Sequence, residues 1–265
     1  MKEPRIVSCS PAHSEIICLL GRQDLIVGKT VYCDFPKDLL KEKPLIGSWI
    51  KLDYELIAKL KPDLIITNNI VQEKITIKLK EAGFNVYHSD PLILSQIYED
   101  ILQIGKIIKA ETEAKNLVEK IKADLGEIER SSKNFTSKPK VYIEEWHDPP
   151  TISGNWMPEV VNIAGGDYRL IEPGKRSCPI GVDKLFKYNP DKIIISWCGF
   201  GERADIIEVL NRSGWDLLSA VKNKDITVID DSLLNRPGPR IVAGAKRLHE
   251  IFHIKNKSKV LVKHG

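Results

Sequence analysis

One eight-residue pattern occurs twice in this chain and limits what it can fold into. Leu60-Lys-Pro-Asp-Leu-Ile-Ile-Thr67 returns as Tyr188-Asn-Pro-Asp-Lys-Ile-Ile-Ile195. Proline cannot continue a helix and biases the residue before it away from the helical region. The β-branched run that follows suits a strand covered on both faces. Each copy therefore reads as a helix end, a sharp turn and a buried strand.

The flanks repeat as well. Asp53 to Leu60 and Val182 to Tyr188 read as short amphipathic helices. Ala82-Gly-Phe-Asn-Val-Tyr-His88 parallels Asn223-Lys-Asp-Ile-Thr-Val-Ile229, a loop and then a strand. Arg5-Ile-Val-Ser, with a helix ending at Gly21, parallels Lys140-Val-Tyr-Ile, with a helix ending at Gly165-Gly166. Glycine just past a helix is a common stop signal. Each half thus reads strand, helix, strand, helix, strand, which predicts a parallel sheet with helices on both faces. The expected fold is α/β, with two Rossmann-like lobes of mainly parallel sheet. Residues 1–92 form the first lobe, 93–137 a helical linker and 138–265 the second lobe.

The linker carries apolar residues at helical spacing: Ile97, Ile101, Ile104, Ile107, Ile108, then Leu117, Ile121, Leu125 and Ile128. Residues 110–113 read as a junction between two helices, with Thr112 as a cap. The second helix, about 20 residues long, would span about 30 Å and join the lobes stiffly. Its stripe is too irregular for sustained heptads.

The 265 residues carry 42% apolar and 29% charged side chains, with 40 basic against 36 acidic groups, an ordinary globular mix. No basic stretch interleaved with aromatics points to nucleic acid. The Lys-rich tail at residues 255–265 reads as a solvated end. No apolar run reaches membrane-spanning length. Met1 to Arg5 leads straight into a core strand with no export signal, so the chain as written reads as cytoplasmic; a chain trimmed of its leader would be periplasmic or extracellular. Five cysteines without a CxxC pair fit a reducing compartment, with Cys18 as a buried core thiol. Nothing signals an oligomer, and the chain reads as a monomer.

Open α/β sheets bind ligands beyond the carboxyl ends of their strands. The segments falling there in the first half are 8–15, where Ser10 or Ser14 caps the next helix, and then 30–36, 46–50 and 67–69. In the second half they are 144–150, 153–158, 196–201 and 235–240. Tyr32, Trp49, Trp146, Trp156 and Trp197 lie in these loops, where large apolar surfaces need cover. A crevice lined by them suits one large flat ligand; the alternative for each ring is packing under its own loop, most of all for Trp156. Glu144, Glu145, His147, Cys33, Cys178 and Cys198 could ligate a metal, but none stands at a recognised metal-site spacing, and no resident metal or intrinsic cofactor is expected. No nucleophile elbow or phosphate loop occurs, and Gly199-Phe-Gly201 reads as a turn. His147 is the candidate to coordinate the metal of a bound chelate.

Several segments resemble the class III periplasmic-binding-protein family, which carries vitamin B12 and iron-siderophore chelates. They are Arg5-Ile-Val-Ser-Cys-Ser-Pro-Ala-His-Ser-Glu15, Gly28-Lys-Thr-Val-Tyr-Cys-Asp-Phe-Pro36, Lys61-Pro-Asp-Leu-Ile-Ile66 and Asn235-Arg-Pro-Gly-Pro-Arg240. The similarity reaches to about residue 252. Glu145-Trp-His-Asp-Pro-Pro150, Gly154-Asn-Trp-Met-Pro-Glu159 and Trp197-Cys-Gly-Phe200 resemble a subgroup labelled cobalamin-binding proteins, whose members often lack a signal peptide. The resemblance implies a binding protein that closes its two lobes on a corrinoid, a cobalamin-like chelate, and no enzymatic activity. It implies Tyr32 and Trp49 as pocket-lining residues; the strand-end loops add Glu145, Trp146, His147, Trp197, Cys198 and Arg236 as candidate ligand-binding residues. A further pocket tryptophan of the vitamin B12 branch falls near Asn68 and is missing here. An ABC permease would dock on one carboxylate per lobe, Glu73 and Glu202, with Glu208 as the alternative to the latter. Two other readings stay open. One is an iron-siderophore or haem binder, favoured by Arg236 and Arg240, although Arg240 also reads as a brace for the last helix. The other is a metal-handling or corrinoid-metabolism enzyme using Glu145, His147 and Cys198.

Overall fold

A computed structural model describes residues 3–253 of the chain. The Lys-rich tail at residues 255–265 lies outside the described residues. By contacts the chain divides into two compact units, residues 1–121 with 237–239, and residues 122–236 with 240–265.

The first unit contains, in order, β1 (Ile6–Ser8), α1 (Pro11–Leu19), β2 (Ile26–Lys29), α2 (Lys37–Leu40), α3 (Tyr54–Leu60), β3 (Leu64–Asn68), α4 (Glu73–Glu81), β4 (Val86–Ser89) and α5 (Leu94–Ile107). Its sheet runs β2-β1-β3-β4 and is parallel throughout. Val7, Cys9, Ile46, Ile57, Ile65, Ile75 and Leu79 form a buried apolar core. The chain passes into the second unit within α6 (Glu111–Ser132), which at 1.5 Å per residue is about 33 Å long.

The break between α5 and α6 comes earlier than the sequence indicates. Thr112 is not the cap but sits inside the first turn of α6. The turn is made by Lys109, in the left-handed region at φ 56°. Gly105 lets the two helices meet closely, since a Cβ there would run into Ala114 Cβ. Helix α5, placed in the linker by sequence, packs against α1.

The second unit contains β5 (Val141–Trp146), β6 (Thr151–Ile152), α7 (Met157–Ala164), β7 (Cys178–Pro179), α8 (Val182–Tyr188), β8 (Lys192–Ile195), α9 (Ile206–Leu210), α10 (Ser219–Lys222), β9 (Ile226–Val228), α11 (Asp231–Leu234) and α12 (Ile241–His253). Its sheet runs β7-β6-β5-β8-β9. β5, β8 and β9 are parallel, as the repeat predicts. β6 and β7 add an antiparallel edge that the sequence does not reveal, because two-residue strands are too short to show a period.

The repeat acts as a clamp of the same design in both units. Helices α3 and α8 stop at left-handed residues, Lys61 at φ 46° and Asn189 at φ 49°. Asp63 Oδ2 accepts from Arg5 N at 2.8 Å, and Asp191 Oδ2 from Lys140 N at 2.8 Å. The side chain of Arg5 donates back to Leu60 O, and Lys140 Nζ to Tyr188 O. Each basic residue thus meets the carbonyl, partially negative end of a helix. Each aspartate pins the start of the central strand beside it.

A buried charged network lies between α1, β4 and α5. Asp100 accepts from Tyr87 Oη at 2.6 Å and Ser89 Oγ at 2.7 Å, and His13 Nε2 lies 2.9 Å from it. Burial opposes the charged carboxylate, but His13 and these donors prevail and hold Asp100 below the usual carboxylate range.

Candidate functional site

Parallel strands bring the loops that follow them to one end of a sheet. In the first unit that end is built from hydroxyl and amide groups. Ser10 caps α1, its Oγ accepting from His13 N at 3.4 Å. Ser14 Oγ donates to Ser8 Oγ at 2.9 Å. Gln72 ties three segments together: its Nε2 donates to Cys9 O at 3.1 Å and Trp49 O at 2.9 Å, and its Oε1 accepts from Asn68 N at 2.8 Å. Gln72 is fully buried. Sequence reasoning passed over it, since a glutamine in a helical run reads as surface.

The loop so anchored carries Trp49, which meets Tyr32 edge to face with ring centres 6.2 Å apart. Tyr32 is exposed and Trp49 half-buried. The structure therefore brings these two sequence-predicted residues together and leaves both with open surface. Asn68 is buried and donates to Ser89 O. Glu73 opens α4 on the exposed surface.

In the second unit the ends of β5, β8 and β9 are laced together. Ser196 N donates to Glu144 O, and Cys198 N to Glu145 O. Asn235 Nδ2 donates to Ser196 O at 2.7 Å and lies 3.3 Å from Cys198 Sγ. Gly199 and Gly201 both take positive φ, and their N–H groups donate to the Asp231 carboxylate at 3.0 and 2.8 Å. Those amides are committed to a carboxylate of the chain, which bears out the reading of this loop as a turn.

Beneath the loops lies a second buried charge. Glu144, fully buried, accepts from Tyr142 Oη at 2.9 Å, Trp197 Nε1 at 2.9 Å and Arg212 Nη1 at 2.6 Å. A buried carboxylate needs such donors to remain tolerable. Burial and the neighbouring Glu144 charge push the Tyr142 phenol well above its ordinary range. Arg212 also donates from Nη2 to His147 O at 2.9 Å and lies over the Trp215 ring, 4.6 Å from its centre. Glu144 is thus consumed by structure and cannot serve as a ligand.

On this base sits an aromatic cluster. The His147 ring lies 4.8 Å from Trp197, 5.0 Å from Trp146 and 5.6 Å from Phe200, centre to centre. Trp146 is 40% exposed, whereas Trp197 is 1% exposed. Trp197 is therefore not a free lining face: its indole is held against Glu144 and supports the cluster from below. Trp156 is buried and donates to Leu234 O, in α11 and 78 positions along the chain, at 3.0 Å. His147 Nδ1 lies 2.8 Å from Glu208 Oε1. An open cavity of 530 Å³ is lined by His147, Asp148, Pro150, Glu208, Arg212 and Trp215.

Glu145 also has a local role, since its Oε2 accepts from Ser177 Oγ at 2.6 Å and Ser153 Oγ at 2.9 Å. Burial raises its carboxyl pKa, against the pull of the two hydroxyls. Cys198 and Cys178 are exposed, Cys33 and Cys18 buried, and all five thiols are free. Burial pushes the Cys18 thiol up to about 11. Arg236 is half-buried in the loop after α11. Arg240 Nη1 donates to Ser232 Oγ at 3.0 Å, a brace ahead of α12. Glu202 is exposed, and Glu208 is engaged with His147. Among the described residues no three His, Cys, Asp or Glu side chains gather to hold a metal ion.

Comparison with known proteins gives a consistent result. A family model described as periplasmic binding protein matches residues 6–233. An uncharacterized ABC transporter substrate-binding lipoprotein of Bacillus subtilis, YvrC, is 31% identical over 262 residues, covering 95% of this chain and 81% of the relative. A vitamin B12-binding protein of Photorhabdus laumondii is 24% identical over 246 residues, 92% of this chain and 86% of the relative. Among solved structures, a possible iron-binding (periplasmic solute-binding) protein of Staphylococcus epidermidis superposes with a TM-score of 0.79 at 28% identity, covering 96% of this chain and all of the other.

Proposed function

Because this chain belongs to the periplasmic binding protein family, we propose that it binds a corrinoid as the substrate-binding protein of an ABC importer. Its family is one of solute-binding proteins rather than enzymes, and their ligands are cargo rather than resident cofactors.

The observation that carries the corrinoid reading is the aromatic surface at the strand ends of the second unit. Trp146 is 40% exposed beside Phe200 and His147. An indole is costly to leave wet and gains by covering a broad apolar face. A corrin macrocycle offers that face, with amide groups at its rim for the surrounding polar loops. The Tyr32–Trp49 pair offers a similar surface in the first unit. The Photorhabdus relative, described as vitamin B12-binding, supports the same choice.

The test is titration of the purified protein with cyanocobalamin, aquocobalamin and cobinamide, following tryptophan fluorescence. Binding tighter than about 100 μM, near −5.5 kcal/mol, is expected. Failure to bind any of the three rejects the reading. Binding of a ferric chelate instead supports a second one, an iron-siderophore or haem binder. The Staphylococcus epidermidis structure favours that alternative, and guanidinium groups such as that of Arg236 pair well with anionic chelates.

The partner on this reading is an ABC permease, met by Glu73 in one unit and Glu202 in the other. Glu202 is preferred to Glu208, whose carboxylate is held by His147. Among the described residues no helix is long and apolar enough to cross a membrane. The cytoplasmic reading of the N-terminus finds no support in a family of periplasmic binding proteins with a lipoprotein relative; the proposed place of action is outside the cytoplasm.

A further inference from the structure

His147 is held differently from His13 and His249. Its Nδ1 lies 2.8 Å from Glu208 Oε1, a group that only accepts, so Nδ1 carries the ring proton. In the neutral ring the lone pair is then on Nε2, for which the structure shows no partner among the described residues. A carboxylate that holds one imidazole nitrogen in this way fixes the tautomer and orients the ring. Arg212 steadies the arrangement twice, through His147 O at 2.9 Å and by lying 3.9 Å from Glu208 Oε1. The imidazole is 27% exposed and stands among the rings of Trp146, Trp197 and Phe200.

His13 makes a useful contrast. It also lies 2.9 Å from a carboxylate, that of Asp100, but it is wholly buried and its other nitrogen is 2.7 Å from Ser10 Oγ. His249 has both nitrogens engaged, with Ser131 Oγ and Ala164 O. These two histidines are structural. His147 alone among the three keeps a nitrogen available beside an exposed aromatic surface.

We infer that His147 Nε2 is an axial ligand to the metal of the bound chelate, with Glu208 as its positioning residue. This rests on the corrinoid reading above. The step is a ligand exchange on Co(III). The bond from cobalt to its axial water breaks, the Nε2 lone pair forms the new bond, and water leaves. No proton moves and no oxidation state changes. A corrinoid whose exchangeable position is filled by cyanide cannot undergo it.

The experiment compares aquocobalamin with cyanocobalamin, by equilibrium titration and by the corrin absorption spectrum. The wild-type protein should bind aquocobalamin more tightly and shift its near-ultraviolet band as nitrogen replaces oxygen on cobalt. His147→Ala should abolish the shift and reduce the preference for aquocobalamin by about tenfold or more. Glu208→Gln, which keeps the imidazole, should reduce the preference by about tenfold, in the range usual for groups that orient a metal ligand. A wild-type protein that binds aquocobalamin without a band shift overturns the inference and leaves the corrinoid reading standing. An equal loss for both ligands in His147→Ala also overturns it and makes His147 a packing residue. If neither corrinoid binds, the corrinoid reading itself fails, and the axial role fails with it.

Discussion

Arg212 donates from Nη1 to the fully buried Glu144 carboxylate at 2.6 Å, joining residues 68 positions apart in the chain. The same guanidinium holds His147 O from its other nitrogen. One side chain therefore neutralises the charge under β5 and fixes the loop that follows β5.

Arg212→Ala should be strongly destabilising, since it leaves Glu144 buried without its cation. The expected cost is about 3–5 kcal/mol, the usual result of removing one member of a buried pair. Urea unfolding followed by tryptophan fluorescence measures it. A loss under about 1 kcal/mol would show that Tyr142 and Trp197 alone satisfy the carboxylate.

Two neighbouring tryptophans should separate stability from binding. Trp197→Ala removes a ring with 1% exposure that donates to Glu144, and should cost about 3–5 kcal/mol. Trp146→Ala removes a 40% exposed ring. It should shift stability by less than about 1 kcal/mol and weaken corrinoid binding about tenfold. Thermal unfolding and ligand titration on the two variants check the pair; the reverse assignment would contradict the placement of Trp197 as support.

Acid should weaken the fold in two stages. Burial lowers the pKa of His88, whose Nδ1 lies 2.9 Å from Thr67 Oγ1, and burial with the neighbouring His249 lowers that of His253. For groups depressed in the folded state, the unfolded chain binds protons first. Their contribution is complete above the unfolded value, about 6.5, and is lost as pH falls from there toward the folded values. Asp100 is also depressed, so its contribution is present above about 3.9 and is lost below that. His88→Gln should shrink the first stage to the share of His253 and leave the second unchanged. Unfolding free energy measured between pH 8 and pH 3 tests this; an unchanged slope in the variant would remove His88 as a cause.

Asp63→Asn and Asp191→Asn should behave alike. Each aspartate accepts from a backbone N–H at 2.8 Å at the start of its unit's central strand. Each substitution should cost about 1 kcal/mol, read from denaturant midpoints. Costs differing by several-fold would show that the repeated clamp is a likeness of sequence without a likeness of energetics.

How much of this was legible in advance depends on the distance over which each feature acts. The Pro-Asp repeat, its preceding helices and its buried strands are local, set within about a dozen residues by proline, β-branching and a left-handed stop. They appear in the structure as the sequence implies, at Lys61 and at Asn189. The turn at Gly199 was legible for the same reason. The aromatic positions were legible too, but their exposure was not. Trp146 and Trp197 look alike in sequence, and only the placing of Glu144 decides that one is covered and the other open.

By itself, the sequence determined two α/β repeats, the parallel pairing of β3 and β8 with their neighbours, and the set of loops that face the strand ends. The tertiary structure alone decided that Gln72 anchors Trp49, that Arg212 answers Glu144, and that Glu208 reaches His147. These are hydrogen bonds across 23, 68 and 61 positions. Local periodicity carries no information about such pairs, because their geometry exists only once the sheets have brought distant loops to one end. His147 is a residue the sequence could name; the carboxylate that aims it is one only the fold could supply.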